Sequence, residues 1–261
     1  MNLESAFKSA KSSVAPTILM VEETAASIDE HPTFSPRKKS FLCRSLLRGG
    51  QTLASVDLLA THYRYQDMWV LCRIICELMI NSSYLQVAPE SEFQRWSNYD
   101  IWTDERLVSN LASSVPEFEA ELNQRELEWQ REQRCTLEKS QLYKGCGNSW
   151  SKKTLEQRAK VVDDVLKLER DTFQLLCRLT VKIGNGFVHV SPKGIGPQRT
   201  PIVSPREPSP ADIQAATQAL SMSATAVYAG LSFTRAHAGL SEHLLANRFG
   251  DALRVAFGDS I

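Results

Sequence analysis

Met68-Trp69-Val70-Leu71-Cys72-Arg73-Ile74-Ile75-Cys76-Glu77-Leu78-Met79-Ile80 is the stretch on which the fold turns. Its apolar side chains fall on every face of a helix, and such a helix belongs in the middle of a bundle. Continued to its polar flanks, the pattern predicts a helix over Gln66 to Leu85, solvated at Asp67 and at Asn81-Ser82-Ser83. The apolar run is short of the ~20 residues that a membrane span needs. Arg73 and Glu77 interrupt it as well. Four residues apart, these two share one helix face and can pair. Charges among apolar neighbours are costly unless paired, because desolvating each costs several kcal/mol. Two readings follow: a polar pocket that binds or cleaves an anion, or an ion pair that holds the bundle in register.

Working outward, the same 3.6-residue recurrence continues and no strand-like alternation persists. Towards the N-terminus, Thr17 to Ile28 reads as a short helix, Ser35-Pro36 as a capped helix start, and Phe41 to Leu59 as a helix broken near Gly49-Gly50. Towards the C-terminus, helices are expected over Ser91 to Ala112, Pro116 to Leu142, Thr154 to Leu166 and Leu168 to Ile183. Beyond those, they are expected over Ala211 to Leu231 and Leu240 to Phe257. Between Val190 and Pro210, six of twenty-one residues are proline, too many for a helix or a central strand. The fold class is therefore all-α, an antiparallel helix bundle with a proline-rich loop before the last two helices. The expected organisation is an N-terminal segment (1–35), a bundle core (36–189), the loop (190–210) and C-terminal helices packing on the bundle (211–261).

Composition narrows the function. The 261 residues are 43% apolar and 23% charged, with thirty basic residues balancing thirty acidic ones. Zero net charge argues against an indiscriminate nucleic-acid or membrane coat. The six cysteines show no repeated C-x-x-C pairing and no histidine at ligand spacing, so no metal or cofactor is expected; scattered thiols suit a reducing, cytoplasmic setting.

A second constellation lies at Lys182-Ile183-Gly184-Asn185-Gly186-Phe187-Val188-His189-Val190-Ser191-Pro192. Glycines on both sides of an Asn predict a helix interruption or C-cap. His189, just beyond, is placed for general acid–base work. Lys182, Asn185 and Ser191 are candidate substrate-binding groups beside it. Arg235, His237 and His243 are read as a turn with ordinary surface histidines, and Tyr63-Arg64-Tyr65 as an aromatic-basic cluster that caps or stacks. Phe118, Leu122 and Trp129 form a thin apolar stripe on an otherwise charged helix, a candidate face for a protein partner.

Cys72-Arg73-Ile74-Ile75-Cys76-Glu77, then Tyr84-Leu85 and Phe93-x-Arg95-Trp96, and later Val188-His189-Val190-Ser191, resemble a bacterial and archaeal helical family of unknown function, over roughly Ser55 to Pro192. A more distant likeness is to the higher-eukaryote-and-prokaryote nucleotide-binding (HEPN) bundles, many of which are metal-independent ribonucleases of toxin and defence systems. Their catalytic Arg and His stand a few residues apart, often with Asn directly after the Arg. Asn185-x-x-x-His189 is similar, and Gly184 stands where that Arg would. The resemblance implies a ribonuclease-like or nucleotide-directed activity. In it His189 would be the acid/base, Arg73 the cation facing phosphate and Glu77 the group orienting it, with RNA or nucleotide as partner and a homodimer as assembly. The other reading is a non-catalytic helical interaction module.

Overall fold

The computed structural model describes residues 2–32, 34–99, 103, 124–146, 149–166, 171–188 and 207–240. Among them every regular element is helical: α1 (Leu3–Glu30), α2 (Pro36–Thr61), α3 (Tyr65–Val87), α4 (Glu90–Ser97), α5 (Gln124–Lys139), α6 (Leu155–Leu166), α7 (Thr172–Val188) and α8 (Pro210–His237). The all-α bundle expected from the sequence is what the chain forms. Most of the proline-rich loop, and the helix expected after Leu240, lie outside the described residues. The chain divides into two compact units. One holds 1–86 and 155–261; the other holds 87–154.

Caps set the starts. Ser35 Oγ accepts from the Lys38 amide with Pro36 at the first helical position of α2. Ser209 and Asp212 make a reciprocal capping box at the start of α8. The N-terminal helix is longer than expected. Expected over Thr17 to Ile28, α1 begins at Leu3, passes through Pro16 and buries Phe7, Val14, Met20, Val21 and Ile28. Tyr63, in the left-handed region at φ 52°, ends α2 and stacks on Phe7 at 5.2 Å. The Tyr63-Arg64-Tyr65 cluster is thus a turn between α2 and α3.

Contacts give the helix directions in the first unit. Lys11 on α1 pairs with Asp57 on α2, and Lys39 Nζ donates to the Asp29 carbonyl, so α1 and α2 are antiparallel. In contrast, α8 runs parallel to α3. Cys72 adjoins Ser223, and Gln86 Nε2 donates to Thr234 Oγ1 at 3.0 Å near the C-terminal ends of both helices. Arg235 Nη1 donates to Thr24 Oγ1 at 3.1 Å and ties α8 to α1. Arg235 and His237 therefore sit on the last turn of α8 rather than in a turn between helices. His237 stacks on Phe233 at 6.0 Å, and burial beside Lys38 lowers its pKa; His243 lies outside the described residues.

The expected break at Gly49-Gly50 does not occur, because α2 is continuous there. Both glycines are close-approach points. A Cβ on Gly50 would lie 3.2 Å from Val21 Cγ1 of α1, and one on Gly49 would lie 2.6 Å from Met79 Cε of α3. From the other side, a Cβ on Gly230 of α8 would meet Met79 Sδ at 2.5 Å and Met79 Cβ at 3.2 Å. Met79 thus sits between two glycine notches, and α2 and α8 close on α3 around it.

Burial departs from the expectation for α3. Met68, Trp69, Cys72, Ile75, Cys76, Met79 and Ile80 are buried, but Ile74 is 46% exposed and Val70, Leu71 and Leu78 are half-buried. Its end also differs: Ser82, Ser83, Tyr84, Leu85 and Gln86 are buried, where solvated residues were expected at Ser82 and Ser83. The helix buried on all faces is α8, from Ala219 to Val227 without interruption. Two of its hydroxyls bond back along the helix: Ser223 donates to the Ala219 carbonyl and Thr225 to the Ser221 carbonyl, both at 2.8 Å. By length and composition α3 is the one helix among the described residues that could cross a membrane, and 61% of its most apolar window is buried inside the protein.

The Met79 seat gives an asymmetric expectation. Gly49→Ala meets only the mobile tip of Met79 and should change stability by less than about 1 kcal/mol, since alanine also favours the helix. Gly230→Ala presses on the stem of Met79 and should cost about 1–3 kcal/mol as overpacking. Urea unfolding monitored by circular dichroism would measure both; equal effects would contradict the seat.

Candidate functional site

Arg73 and Glu77 pair as their spacing implies, with Arg73 Nε 2.7 Å from Glu77 Oε1. Their side chains are 23% and 37% exposed, so the pair lies at the edge of the bundle rather than deep within it. Among the described residues, neither Nη atom of Arg73 has a hydrogen-bond partner.

The interruption expected at Gly184-Asn185-Gly186 is absent as well, for α7 continues to Val188. The reason is again close approach. A Cβ at position 184 would lie 2.8 Å from Arg73 Cβ, 3.2 Å from Arg73 Cδ and 3.2 Å from the Trp69 carbonyl oxygen. Gly184 is therefore the notch in which the stem of Arg73 lies. Cys76 adjoins Thr180, one turn earlier on α7, so α3 and α7 cross antiparallel with the Arg73–Glu77 pair along the seam. The structure thus brings Arg73, Glu77 and Gly184 to one place, and Asn185 is the next residue along α7. Lys182 is on α7, but its side chain, like His189 and Ser191 entirely, lies outside the described residues.

Asn185, next to the notch, is half-buried, and its Oδ1 is buried without a hydrogen-bond partner among the described residues. Buried polar atoms are nearly always paired, so such an orphan asks for an explanation.

Helix α6 flanks the other side of α7. Asp163, buried on α6, accepts from the Phe173 and Gln174 amides at 2.9 Å each and so caps α7. Burial raises its pKa in spite of those two bonds, which act to lower it. At the opposite end of the contact, Arg178 Nε lies 2.8 Å from Glu156 Oε1 on the surface. Between these ties sits Arg158, only 8% exposed. The Cys177 thiol, raised to about 11 chiefly by burial, feels the charges of Glu156, Glu77 and Arg158. Charged groups from α3 and α6 therefore flank one stretch of α7. Sequence reasoning passed over Arg158 and Asp163. The available signal was their place among Ala159 and Val162, on the apolar face of α6.

Three buried thiols lie on α3 and α7. Burial pushes Cys72 up to about 12 and Cys76 well above the ordinary thiol value. With Cys177 they act as small apolar side chains, as the spacing of Cys72 and Cys76 implies. Among the described residues no group of three or more His, Cys, Asp or Glu could hold a metal ion.

A more buried ion pair than Arg73–Glu77 belongs to the other unit. Glu92 and Arg95 of α4 pair with side chains 9% and 11% exposed, and the Tyr143 hydroxyl donates to the Arg95 carbonyl. Arg95 Nη1 also reaches the Leu142 carbonyl at 3.5 Å. This pair ties α4 to the turn after α5 and holds that unit together. On α5, Trp129 is 48% exposed, while Phe118 and Leu122 lie outside the described residues.

A family model described as a family of unknown function, DUF5677, matches residues 39–198. The chain belongs to this family. The match spans α3, α6 and α7, and with them Arg73, Glu77, Arg158, Asp163, Gly184 and Asn185; α1 and α8 lie outside it. No curated protein and no solved structure matches the chain.

Two measurements probe this seam. Gly184→Ala should destabilise the protein by about 1–3 kcal/mol, because the new methyl meets backbone as well as the Arg73 stem; a thermal midpoint equal to that of the wild type would contradict the contact. In native protein near pH 8, iodoacetamide should label exposed Cys135 well before Cys72, Cys76 and Cys177. Peptide mass spectrometry would reveal the order.

Proposed function

We propose that this DUF5677 protein is a HEPN-like member of a bacterial defence or toxin system, acting on RNA or nucleotide at the α3–α7 seam. The observation that carries the reading is the contact between Gly184 and Arg73. Gly184 occupies the position where the HEPN pattern has its arginine, and the space a side chain would take there is filled by Arg73 from the neighbouring helix. The cation is delivered across the seam instead of along one helix.

In this reading Arg73 stabilises charge on a phosphoryl group, Glu77 holds the guanidinium in orientation, and His189 moves the proton. Lys182, Asn185 and Ser191 bind the substrate beside them. The partially exposed Arg73 is reachable from solvent, as a phosphate-binding group must be. No metal or cofactor enters this chemistry. The expected setting is the cytoplasm, and the expected assembly a homodimer.

A second reading, a non-catalytic interaction module, draws on the exposed Trp129 of α5. In that case Arg73–Glu77 is a register-setting pair.

Expression of wild type, Arg73→Ala and His189→Ala in a bacterial host separates the two. Growth arrest with fragmented RNA for the wild type, relieved in both variants at equal protein levels, is the outcome expected. Indistinguishable growth and RNA profiles for all three would remove the enzymatic reading.

A further inference from the structure

The outward face of α2 carries charge of one sign. The helix holds five basic residues from Arg37 to Arg48 and no acidic one before Asp57, which pairs with Lys11 of α1. Lys39 is engaged by the Asp29 carbonyl. Arg37, Arg44 and Arg48 are exposed, and among the described residues no hydrogen bond or ion pair engages them. Seven and four positions apart, these three lie within about 40° of one another around the helix, in a row about 16 Å long. The other exposed positions from Ser40 to Leu58 are uncharged, so no carboxylate interrupts the row.

For the fold alone this arrangement is unfavourable. Arg44 and Arg48, four apart, repel along one face. Arg37, Lys38 and Lys39 crowd the first turn, which has no acidic residue and stands at the positive end of the helix dipole. Both costs fall away when a line of anionic groups lies along the row.

We infer that the outward face of α2 holds a single nucleic-acid strand by its phosphates. At about one charge per 3.4 Å of strand, the row accommodates about five phosphates in file. A planar guanidinium matches phosphate oxygens two at a time, and the helix N-terminus beside Arg37 adds to the attraction. A helix lying on a membrane presses a broad apolar face into the lipid. The broad apolar face of α2 packs into the bundle at Leu42, Leu46, Leu53 and Val56, and its large apolar side chains outside are Leu47 and Leu58, eleven positions apart. Contacts to phosphate carry no base information, so the row positions a strand without reading it. The row is on α2, whereas the proposed reaction site is formed by α3 and α7, and the two stand or fall separately.

Fluorescence anisotropy with labelled oligouridine and oligodeoxythymidine of equal length tests the row on the full chain. Three proteins are compared with wild type: the triple variant Arg37→Gln/Arg44→Gln/Arg48→Gln, the seam variant Arg73→Gln, and a control that loses three exposed lysines elsewhere, Lys152→Gln/Lys153→Gln/Lys160→Gln. The wild type should bind both strands alike, with log affinity falling by about 2 per tenfold rise in salt, from three phosphates at about 0.7 each. The triple variant should lose at least about tenfold in affinity at low salt and most of that slope, while the control keeps both. Its thermal midpoint should equal or exceed that of the wild type, since like-charge repulsion is relieved. Equal binding by the triple variant and the control, or no binding of either strand by the wild type, overturns the inference. A lowered midpoint in the triple variant does so too, because the arginines would then serve folding. Binding lost in Arg73→Gln but kept in the triple variant would move the strand to the seam, and co-sedimentation with phosphatidylserine vesicles in place of strand binding would give the face to a membrane; either result overturns the inference.

Discussion

The seat of Met79 between Gly49 and Gly230 joins three helices of the first unit, most tightly at Gly230, where a side chain would press on the stem of Met79. With side chains in both notches, α2 and α8 would be held off α3, and the buried contacts of Leu53, Val56, Ala224 and Val227 would loosen with them. A methionine suits the position because its unbranched, polarisable chain fills an irregular gap. Gly184 repeats the device on another face of α3, this time around the stem of an arginine. The helix that receives the closest packing therefore also carries the charged pair, and the packing that fixes one orients the other.

Much of this fold is legible in the residues. Ser35-Pro36 announces a helix, and Met68 to Ile80 can only be a core element. What misleads is glycine. At Gly49-Gly50 and Gly184-Asn185-Gly186 the local pattern is that of a turn or a cap, because positive φ and close approach both call for the same residue. Which use applies depends on the side chain that arrives from a distant segment: Met79 in one case, Arg73 in the other. Burial misleads in a second way. Large apolar residues drew attention to α3, whereas the fully enclosed helix is α8, whose alanines, serines and threonines give a modest hydropathy. Small side chains pack closely on all sides, and the Ser223 and Thr225 hydroxyls bond back along the helix.

The candidate site was half legible. Arg73 and Glu77 stand out as charges on an apolar helix, and Asn185 as the polar residue between two glycines. That they adjoin depends on the antiparallel crossing of α3 and α7, segments about a hundred positions apart, for which nothing local gives a sign. Arg158 shows the opposite failure: it lies on an apolar face with a regular spacing, yet a single arginine on a charged helix looks like ordinary solvated surface. Its burial arises from α7 covering it, and α7 is held there by Asp163 and Glu156.

The parallel course of α3 and α8 has a consequence for how the chain comes together during synthesis. Sequence neighbours such as α1 and α2 can pair as soon as both have left the ribosome. The groove that α8 fills stays open until the chain reaches Arg235, which bonds a threonine 211 positions earlier. Until then Met79 faces one glycine notch instead of two, and apolar surface on α1, α2 and α3 stands uncovered. Contacts of such long sequence separation are closed late and slowly, and the half-built bundle is the species most exposed to sticking to its neighbours.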